Sequence, residues 1–214
     1  MSFEGASILV TGGSRGIGKA IALRFASLGA TRVAIGYMRG DTPAEETAAE
    51  LRALGAEPIL VRGNVASTRI AEEVAGLGPL DVLVHAAATG VIRPALETED
   101  KHWDWTLSAN ARALLSLTRA VAPSMPEGSS ILGISSLGSE RVLDGYTLVG
   151  ASKAALEALV RYLAVELTAA ALGQLQVDGP SDAQAIALRD AMRVLFPEAV
   201  ALVSAARQGF MRQS

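Results

Sequence analysis

The sequence contains no cysteine, so disulfide bonds and thiolate metal sites are excluded. Only two of the 214 residues are histidines, too few for a histidine-rich metal cluster, and we predict no metal site. The net charge of −3 gives no nucleic-acid-binding signature. No apolar run reaches about 18 residues without a charge, which predicts no membrane-spanning helix and no membrane partner. The start lacks the basic region of a signal peptide, so we expect a cytoplasmic protein.

Hydrophobic residues make up half of the chain, whereas aromatic residues make up only 4%. Short apolar strands alternate with helical patterns from residue 6 to residue 172. This alternation predicts a doubly wound α/β fold, in which helices cover both faces of a parallel sheet in three layers. We expect one domain over residues 1–214. Ligands bind such sheets at the carboxyl ends of the strands.

A glycine-rich loop follows the first predicted strand, Ala6–Thr11. The loop reads Gly-Gly-Ser-Arg-Gly-Ile-Gly over residues 12–18 and leads into a helical pattern. Gly12 permits a tight turn, Gly16 lets the backbone approach a phosphate, and Gly18 lets the helix pack on the strand. The helix N-terminus would offer free N–H groups to a pyrophosphate. The alternative is a tight turn without a ligand.

The end of the second predicted strand, Thr31–Tyr37, bears on the choice between NAD and NADP. An acidic residue there would bind the ribose of NAD, but residues 36–40 contain none. Arg39 and Arg15 instead supply two cations that suit a 2′-phosphate, which favours NADP. The alternative is a pair of solvated surface arginines.

Polar or small residues also follow the third and fourth predicted strands. Asn64 follows the third strand, and Ala86–Gly90 follows the fourth, where a ligand could lie close. We interpret His85 as a hydrogen-bonded structural histidine, with a polar handle for a ligand as the alternative. Asn110 is polar on an otherwise apolar stretch of the predicted helix 98–121. A buried asparagine must be hydrogen-bonded, so it predicts a polar network in the core.

Tyr146 and Lys153 are seven residues apart at the start of the long predicted helix 146–172. At about 100° per residue, seven steps make nearly two turns and bring both side chains to one face. A lysine ammonium near a phenol favours the phenolate, and such a phenol can act as a general acid near neutral pH. The alternative is an exposed pair on an ordinary amphipathic helix.

Together these motifs resemble the short-chain dehydrogenase/reductase superfamily, whose members have a Rossmann-type fold. The segments that carry the resemblance are Thr11–Gly18 (the family's TGxxxGIG loop), Asn64-Val65 (usually Asp-Val, beside the adenine), residues 81–88 (the Asn-Asn-Ala-Gly region), Asn110 (the helix asparagine of the proton relay), Ser135-Ser136 (the strand-five serine region) and residues 151–155 (the lysine segment). The resemblance implies NADPH as cofactor, held by Gly12, Ser14, Arg15, Gly16, Ile17, Gly18, Arg39, Asn64, Val65, Ala87 and Lys153.

One departure from the family is informative. The usual Tyr-x-x-x-Lys would place tyrosine at position 149, which is valine, and Tyr146 is the nearby tyrosine. This spacing resembles the NADPH-dependent enoyl-acyl-carrier-protein reductase III type. The resemblance implies that hydride reaches the β-carbon of a 2-enoyl thioester while Tyr146 stabilises the enolate oxygen. Lys153 would hold the nicotinamide ribose, Asn110 would support the lysine through water, and Ser136 would be catalytic or only structural.

The C-terminal part fits the family less well. We predict a weak strand at Leu175–Val177 and helices at Ser181–Phe196 and Ala199–Arg207, without the family's usual last strand. We expect a homodimer or homotetramer through the helices 98–121 and 146–172. The substrate would be an acyl thioester on acyl carrier protein or coenzyme A, in fatty-acid or polyketide metabolism. Two alternatives stay open, namely a carbonyl reductase that uses Tyr146 and a catalytically silent NADP-binding or structural partner.

Overall fold

The central sheet of the chain has six strands in the order β3-β2-β1-β4-β5-β6. A computed structural model describes residues 2–172 and the backbone of residues 201–203. The strands β1 to β5 pair in parallel, as the sequence predicts, and β6 is antiparallel to β5. Their bounds are β1 Ser7–Thr11, β2 Arg32–Tyr37, β3 Glu57–Arg62, β4 Val82–His85, β5 Ser130–Ile134 and β6 Ala201–Val203.

Helices cover both faces of this sheet. The helices are α1 Gly16–Ser27, α2 Asp41–Ala53, α3 Thr68–Ala75, α4 Asp100–Leu107, α5 Ala113–Val121 and α6 Thr147–Leu172. Short 3₁₀ turns lie at Ala95–Glu97, Ala122–Ser124 and Leu137–Ser139. None of the helices in the described residues is long and apolar enough to cross a membrane.

Two hydrophobic clusters show how the sheet is buried on both faces. Ile8 and Val10 of β1 pack with Phe25 of α1, whereas Leu9 packs on the opposite side with Leu117 of α5. Successive side chains of a strand point to opposite faces, so β1, which is buried at every position, has a helical layer on each side. The doubly wound, three-layer Rossmann-type fold predicted from the sequence is therefore confirmed.

The predicted helix 98–121 is divided in the structure. Glu99 and His102 form a capping box, so the helix begins at Asp100. Between α4 and α5, residues Ser108–Arg112 adopt a π-helix, called the π segment below. A π segment inserts one extra residue into a helix and is frequent at functional sites. The π segment contains Asn110. The apolar period of the sequence fits a continuous helix and does not predict this segment.

The C-terminal predictions have different outcomes. The predicted helix Ala199–Arg207 is wrong at residues 201–203, which form β6 and pair with Ile134 to Leu132 of β5. Without β6, this edge of β5 would carry unpaired backbone N–H and C=O groups, with which a short apolar segment can pair. No described residue forms the family's parallel last strand. The predicted strand Leu175–Val177 and the predicted helix Ser181–Phe196 lie outside the described residues.

Candidate functional site

The loops after β1 and β4 lie in close contact, and glycines make this possible. A Cβ on Gly12 would come within 3.0 Å of the Ala87 backbone, and one on Gly18 would collide with the Gly12 carbonyl. Gly16 has φ +56°, and a Cβ there would meet nothing within 4 Å, so its backbone borders open space. The loop therefore has a tightly packed base and an open upper side that could accept a phosphate.

The N-terminus of α1 faces this loop. Arg15 is its N-cap, is exposed, and makes no side-chain cap, so the first N–H groups of the helix are available to an anion. Ser14 is buried, and its carbonyl accepts a 3.1 Å hydrogen bond from the Thr47 hydroxyl on α2. Ile17 is 42% exposed. Arg15 and Ile17 thus lie on the open side of the loop, whereas Ser14 anchors it.

Beyond β2, the cation and the nearest carboxylate have different surroundings. Arg39 is exposed, and within residues 2–172 its side chain has no ion-pair partner. Asp41 lies just past the loop, and its carboxylate is 3.3 Å from the Arg62 guanidinium. Burial, and after it the charge of Asp41, raises the pKa of Tyr37. The Asp41 carboxylate is thus paired with Arg62, whereas Arg39 is an unpaired charge among the described residues.

Asn64 and Val65 lie after β3, at the same edge of the sheet. The Asn64 side-chain oxygen accepts the Ala66 N–H at 3.0 Å, and its carbonyl accepts the Ser67 hydroxyl at 2.8 Å. The Ser67 hydroxyl in turn caps α3. Val65 packs at the border of the hydrophobic cluster under α3. This local turn leaves the Asn64 amide N–H groups exposed for a ligand.

Tyr146, Ser136 and Lys153 come together at the end of β5. The Tyr146 hydroxyl lies 3.4 Å from the Ser136 hydroxyl, a long contact. Gly138 lacks a Cβ that would collide with the Tyr146 ring, which therefore lies against the loop backbone. The Tyr146 carbonyl accepts the Gly150 N–H at 2.7 Å, so the tyrosine caps α6.

The Lys153 ammonium is buried, nearly two turns into α6. Only 4% of the residue is exposed, and the ammonium donates a 2.7 Å hydrogen bond to the carbonyl of Ile134 at the end of β5. Burial lowers the pKa of Lys153 to about 8, because desolvation disfavours the charged form. The ammonium is thereby fixed at the end of β5, at a residue two positions before Ser136 in the chain.

Val149 occupies the position that the family usually gives to tyrosine. It is 8% exposed, and its side chain packs against Gly90, where a Cβ would collide with it. The valine is therefore part of the core between α6 and the loop after β4, and Tyr146 is the phenol at the end of β5.

Asn110 forms the polar network that the sequence predicts. It is fully buried, and its amide donates to the Thr89 carbonyl at 2.8 Å and to the Ser152 hydroxyl at 2.9 Å. Its side-chain oxygen accepts the Thr89 N–H at 2.8 Å. The side chain therefore links the loop after β4 to α6, and its partner on α6 is Ser152, the residue before Lys153, not the lysine itself.

His85 is a hydrogen-bonded structural histidine, as predicted. It is fully buried, with Nδ1 3.0 Å from the Thr11 hydroxyl and Nε2 3.1 Å from the Ala109 carbonyl in the π segment. The Thr11 oxygen also accepts the Ala87 N–H at 3.1 Å. Burial, and after it the charge of Lys153, lowers the pKa of His85 to about 4. The histidine is therefore neutral at physiological pH.

Sequence reasoning missed one buried pair. The Ser135 hydroxyl donates a 2.5 Å hydrogen bond to the Glu157 carboxylate, and both residues are buried. A charged residue on the buried face of a helix, one turn after Lys153, is the signal that could have revealed it. Within residues 2–172, no group of three or more acidic or histidine side chains could hold a metal ion.

A groove on the surface is lined by residues of α4, the π segment and α5 and by Leu159 of α6. Trp103 is 49% exposed at one end of this groove. Apolar side chains at helical spacing form most of its wall, and they are Trp103, Leu107, Ala111, Leu115 and Leu159. The groove lies on the two helices that the sequence predicts to form an oligomer interface.

Comparisons with known proteins agree with this fold. The family model described as Enoyl-(Acyl carrier protein) reductase matches residues 12–172. The chain is 33% identical over 176 residues to 1-cyclohexenylcarbonyl-CoA reductase of Streptomyces collinus, and the match covers 80% of this chain and 62% of that protein. It is 31% identical over 171 residues to L-xylulose reductase of Mus musculus, covering 78% and 68%, respectively.

Solved structures are similar over the same part of the chain. A short chain dehydrogenase from Burkholderia cenocepacia J2315 in complex with NADP is 35% identical with a TM-score of 0.72, covering 78% of this chain and 71% of that one. A blue fluorescent protein from a metagenomic library, in complex with NADPH, is 34% identical with a TM-score of 0.74, covering 79% and 71%. The chain spans less than two thirds of the Streptomyces relative's length. It belongs to the short-chain dehydrogenase/reductase superfamily.

Proposed function

We propose that this chain is an NADPH-dependent reductase of 2-enoyl thioesters. The observation that supports it most is the placement of Tyr146, whose hydroxyl lies beside Ser136 at the end of β5 while Val149 fills the family's usual tyrosine position. A phenol displaced by about one helical turn suits a thioester carbonyl next to a C=C bond. The enoyl-reductase family model and the acyl-CoA reductase among the relatives agree with this substrate class.

The residues around the glycine loop fit NADPH. Gly12, Gly16 and Gly18 would bring backbone N–H groups to the pyrophosphate, with Ser14, Arg15 and Ile17 shaping the loop. Arg39 would pair with the 2′-phosphate, since Asp41 is occupied by Arg62. The further contacts of the cofactor would come from Asn64, Val65, Ala87 and Lys153. NADPH supplies the hydride for the reaction when it is bound.

The residues at the end of β5 would act on the thioester. As hydride adds to the β-carbon, the electron pair of the C=C bond shifts toward the carbonyl oxygen. The Tyr146 hydroxyl donates a hydrogen bond to that oxygen and stabilises its developing charge, with Ser136 as its neighbour. The buried Lys153 ammonium would hold the nicotinamide ribose. A proton taken from water would then add to the α-carbon and complete the saturated thioester.

A second candidate function is the reduction of a ketone. The similarity to L-xylulose reductase favours it, and the same Tyr146 would then protonate the carbonyl oxygen. A third candidate is an NADPH-binding partner without turnover. It is favoured by His85-Ala86-Ala87-Ala88, which stand where the family usually has Asn-Asn-Ala-Gly. The thioester could be carried by acyl carrier protein or by coenzyme A.

NADPH oxidation measured at 340 nm with a short 2-enoyl thioester tests the proposal. We expect turnover by the wild type and a loss of about 10²-fold or more in kcat for Tyr146→Phe. Tyr162→Phe, a 69% exposed tyrosine on the same helix, is the matched control. Preferred turnover of a 3-ketoacyl thioester would support the carbonyl reductase instead. NADPH binding by fluorescence without turnover would support the silent partner.

A further inference from the structure

His85 joins two loops that belong to different parts of the proposed site. Thr11 and His85 are register partners on β1 and β4, so their side chains lie side by side on one face of the sheet. Their outer register partners are Gly36 on β2 and Gly133 on β5. The two buried polar side chains are therefore flanked by residues without side chains.

The hydrogen-bond partners assign the proton of His85. A carbonyl oxygen can only accept, so the bond to Ala109 requires a proton on Nε2. Nδ1 is then the acceptor for the Thr11 hydroxyl, whose oxygen accepts the Ala87 N–H. The result is a directed chain from Ala87 through Thr11 to His85 and on to the π segment, in which each donor has one acceptor.

The two ends of this chain reach different groups. The Nδ1 arm acts through Thr11, which precedes Gly12, and through Ala87, which packs against Gly12. The Nε2 arm acts on the Ala109 carbonyl, one residue before Asn110. Asn110 in turn holds Thr89 and Ser152, the neighbour of Lys153.

We propose that His85 is a positioning residue with two separable functions, in which Nδ1 holds the glycine loop for the cofactor and Nε2 holds the π segment that places Asn110. The superfamily's usual residue here is asparagine, whose side chain reaches only as far as Nδ1. Histidine supplies an acceptor at the Asn-like position and a donor one atom further out, which the π segment uses.

The tautomer can be measured directly, because the chain has only two histidines. In the full chain labelled with ¹⁵N-histidine, NMR at neutral pH should show His85 with a protonated Nε2 and an unprotonated Nδ1. The variant His102→Gln identifies the second set of signals, and glutamine keeps the capping geometry of α4. A proton on Nδ1, or a charged ring, would overturn the proposal.

Two variants separate the Nδ1 function of His85 from its Nε2 function. His85→Asn keeps an acceptor for Thr11 and loses the donor to Ala109, whereas His85→Gln keeps a donor for Ala109 and loses the acceptor. We expect His85→Asn to lower kcat by a larger factor than it raises the Kd for NADPH. His85→Gln should do the reverse, with a Kd raised about tenfold, the effect of roughly one lost hydrogen bond. Equal factors for both variants would refute the separation.

A second pair keeps the test decisive if the histidine variants fail to fold. Thr11→Val is isosteric and removes the hydroxyl, so NADPH binding measured by fluorescence should weaken about tenfold. Thr11→Ser restores the hydroxyl and should recover most of the affinity. Unchanged affinity in Thr11→Val would overturn the Nδ1 function. The kcat comparison rests on the proposed function, but the tautomer and the NADPH affinities do not, so they decide the inference even if no thioester is turned over.

Discussion

The side chain of Val149 packs against Gly90, so that the usual tyrosine position of the family is part of the core. A tyrosine at residue 149 would need the space that the loop after β4 occupies. The tyrosine of this site is therefore Tyr146, which caps α6 and lies over Gly138. Val149 and Tyr146 can thus occupy these places only because residues 90 and 138 are glycines.

Restoring the family's usual spacing should fail. Val149→Tyr forces a larger side chain against Gly90, and overpacking of this kind costs about 1–3 kcal/mol in the free energy of unfolding. Val142→Tyr, at a fully exposed position, is the matched control and should leave stability unchanged. Urea unfolding measures both. A Val149→Tyr variant that is as stable as the wild type would contradict the packing argument.

Arg39 should set the preference for NADPH over NADH. Arg39→Gln removes the cation proposed for the 2′-phosphate, and the Kd for NADPH should rise about tenfold, because a hydrogen bond to a charged group contributes roughly 1.5 kcal/mol or more. The Kd for NADH should not change. The control is Arg52→Gln, which removes an exposed arginine at the end of α2. An equal loss of affinity for both cofactors would argue against a phosphate contact.

Local spacing explains which parts of the site the sequence could predict. The glycine loop and the pair Tyr146–Lys153 each depend on neighbours within one turn or helix, and the structure has the loop between β1 and α1 and the long helix α6, which begins one residue after Tyr146. The hydrogen bond between Thr11 and His85 instead joins residues 74 positions apart. It depends on the register of two strands, which a single sequence does not specify.

The π segment and β6 were missed for related reasons. Residues 98–121 have the apolar period of one continuous helix, and the extra residue at Ser108–Arg112 is stabilised by tertiary contacts to Asn110 and Ala109. The segment 201–203 has an apolar composition that suits a helix or a strand, and its pairing with β5 decides for the strand.

Lys153 should make stability depend on pH in the alkaline range. Its pKa is about 8 in the folded chain and near 10.5 in the unfolded chain, so between these values the unfolded state binds more protons. The cost of burying the ammonium is fully present below pH 8 and is relieved as the pH rises toward 10.5. The difference between these two pKa values corresponds to about 3 kcal/mol in the free energy of unfolding.

Lys153→Met is the variant that isolates this effect. The free energy of unfolding of the wild type, minus that of Lys153→Met, should increase between pH 8 and pH 10.5 in urea titrations without cofactor. Titrating groups that do not interact with Lys153 are common to both proteins and cancel in the difference, and His85, which does interact with it, is already neutral in this pH range. A difference that stays constant over this range would show that the ammonium is not buried at a cost.

The buried pair of Ser135 and Glu157 should be strongly coupled. Ser135→Ala leaves a buried carboxylate without its donor, and Glu157→Leu leaves a hydroxyl without its acceptor, whereas the double variant removes both. A double-mutant cycle in urea should give a coupling energy of about 1.5–3 kcal/mol. The exposed pair of Lys19 and Glu50, at 2.8 Å, is the control and should give less than about 1 kcal/mol. Similar values for the two pairs would contradict the role of burial.

The groove that is lined by α4, the π segment, α5 and Leu159 of α6 should be the interface of a homodimer. Trp103 and Trp105 are both 49% exposed on α4, but only Trp103 lines the groove. Tryptophan is among the residues that contribute most to binding at interfaces, so Trp103→Glu should give a monomer. Trp105→Glu makes the same change outside the groove and should leave the dimer intact. Light scattering over a range of concentrations measures the mass. A wild-type monomer mass at every concentration would refute the interface, and dissociation by both variants alike would place it elsewhere on α4.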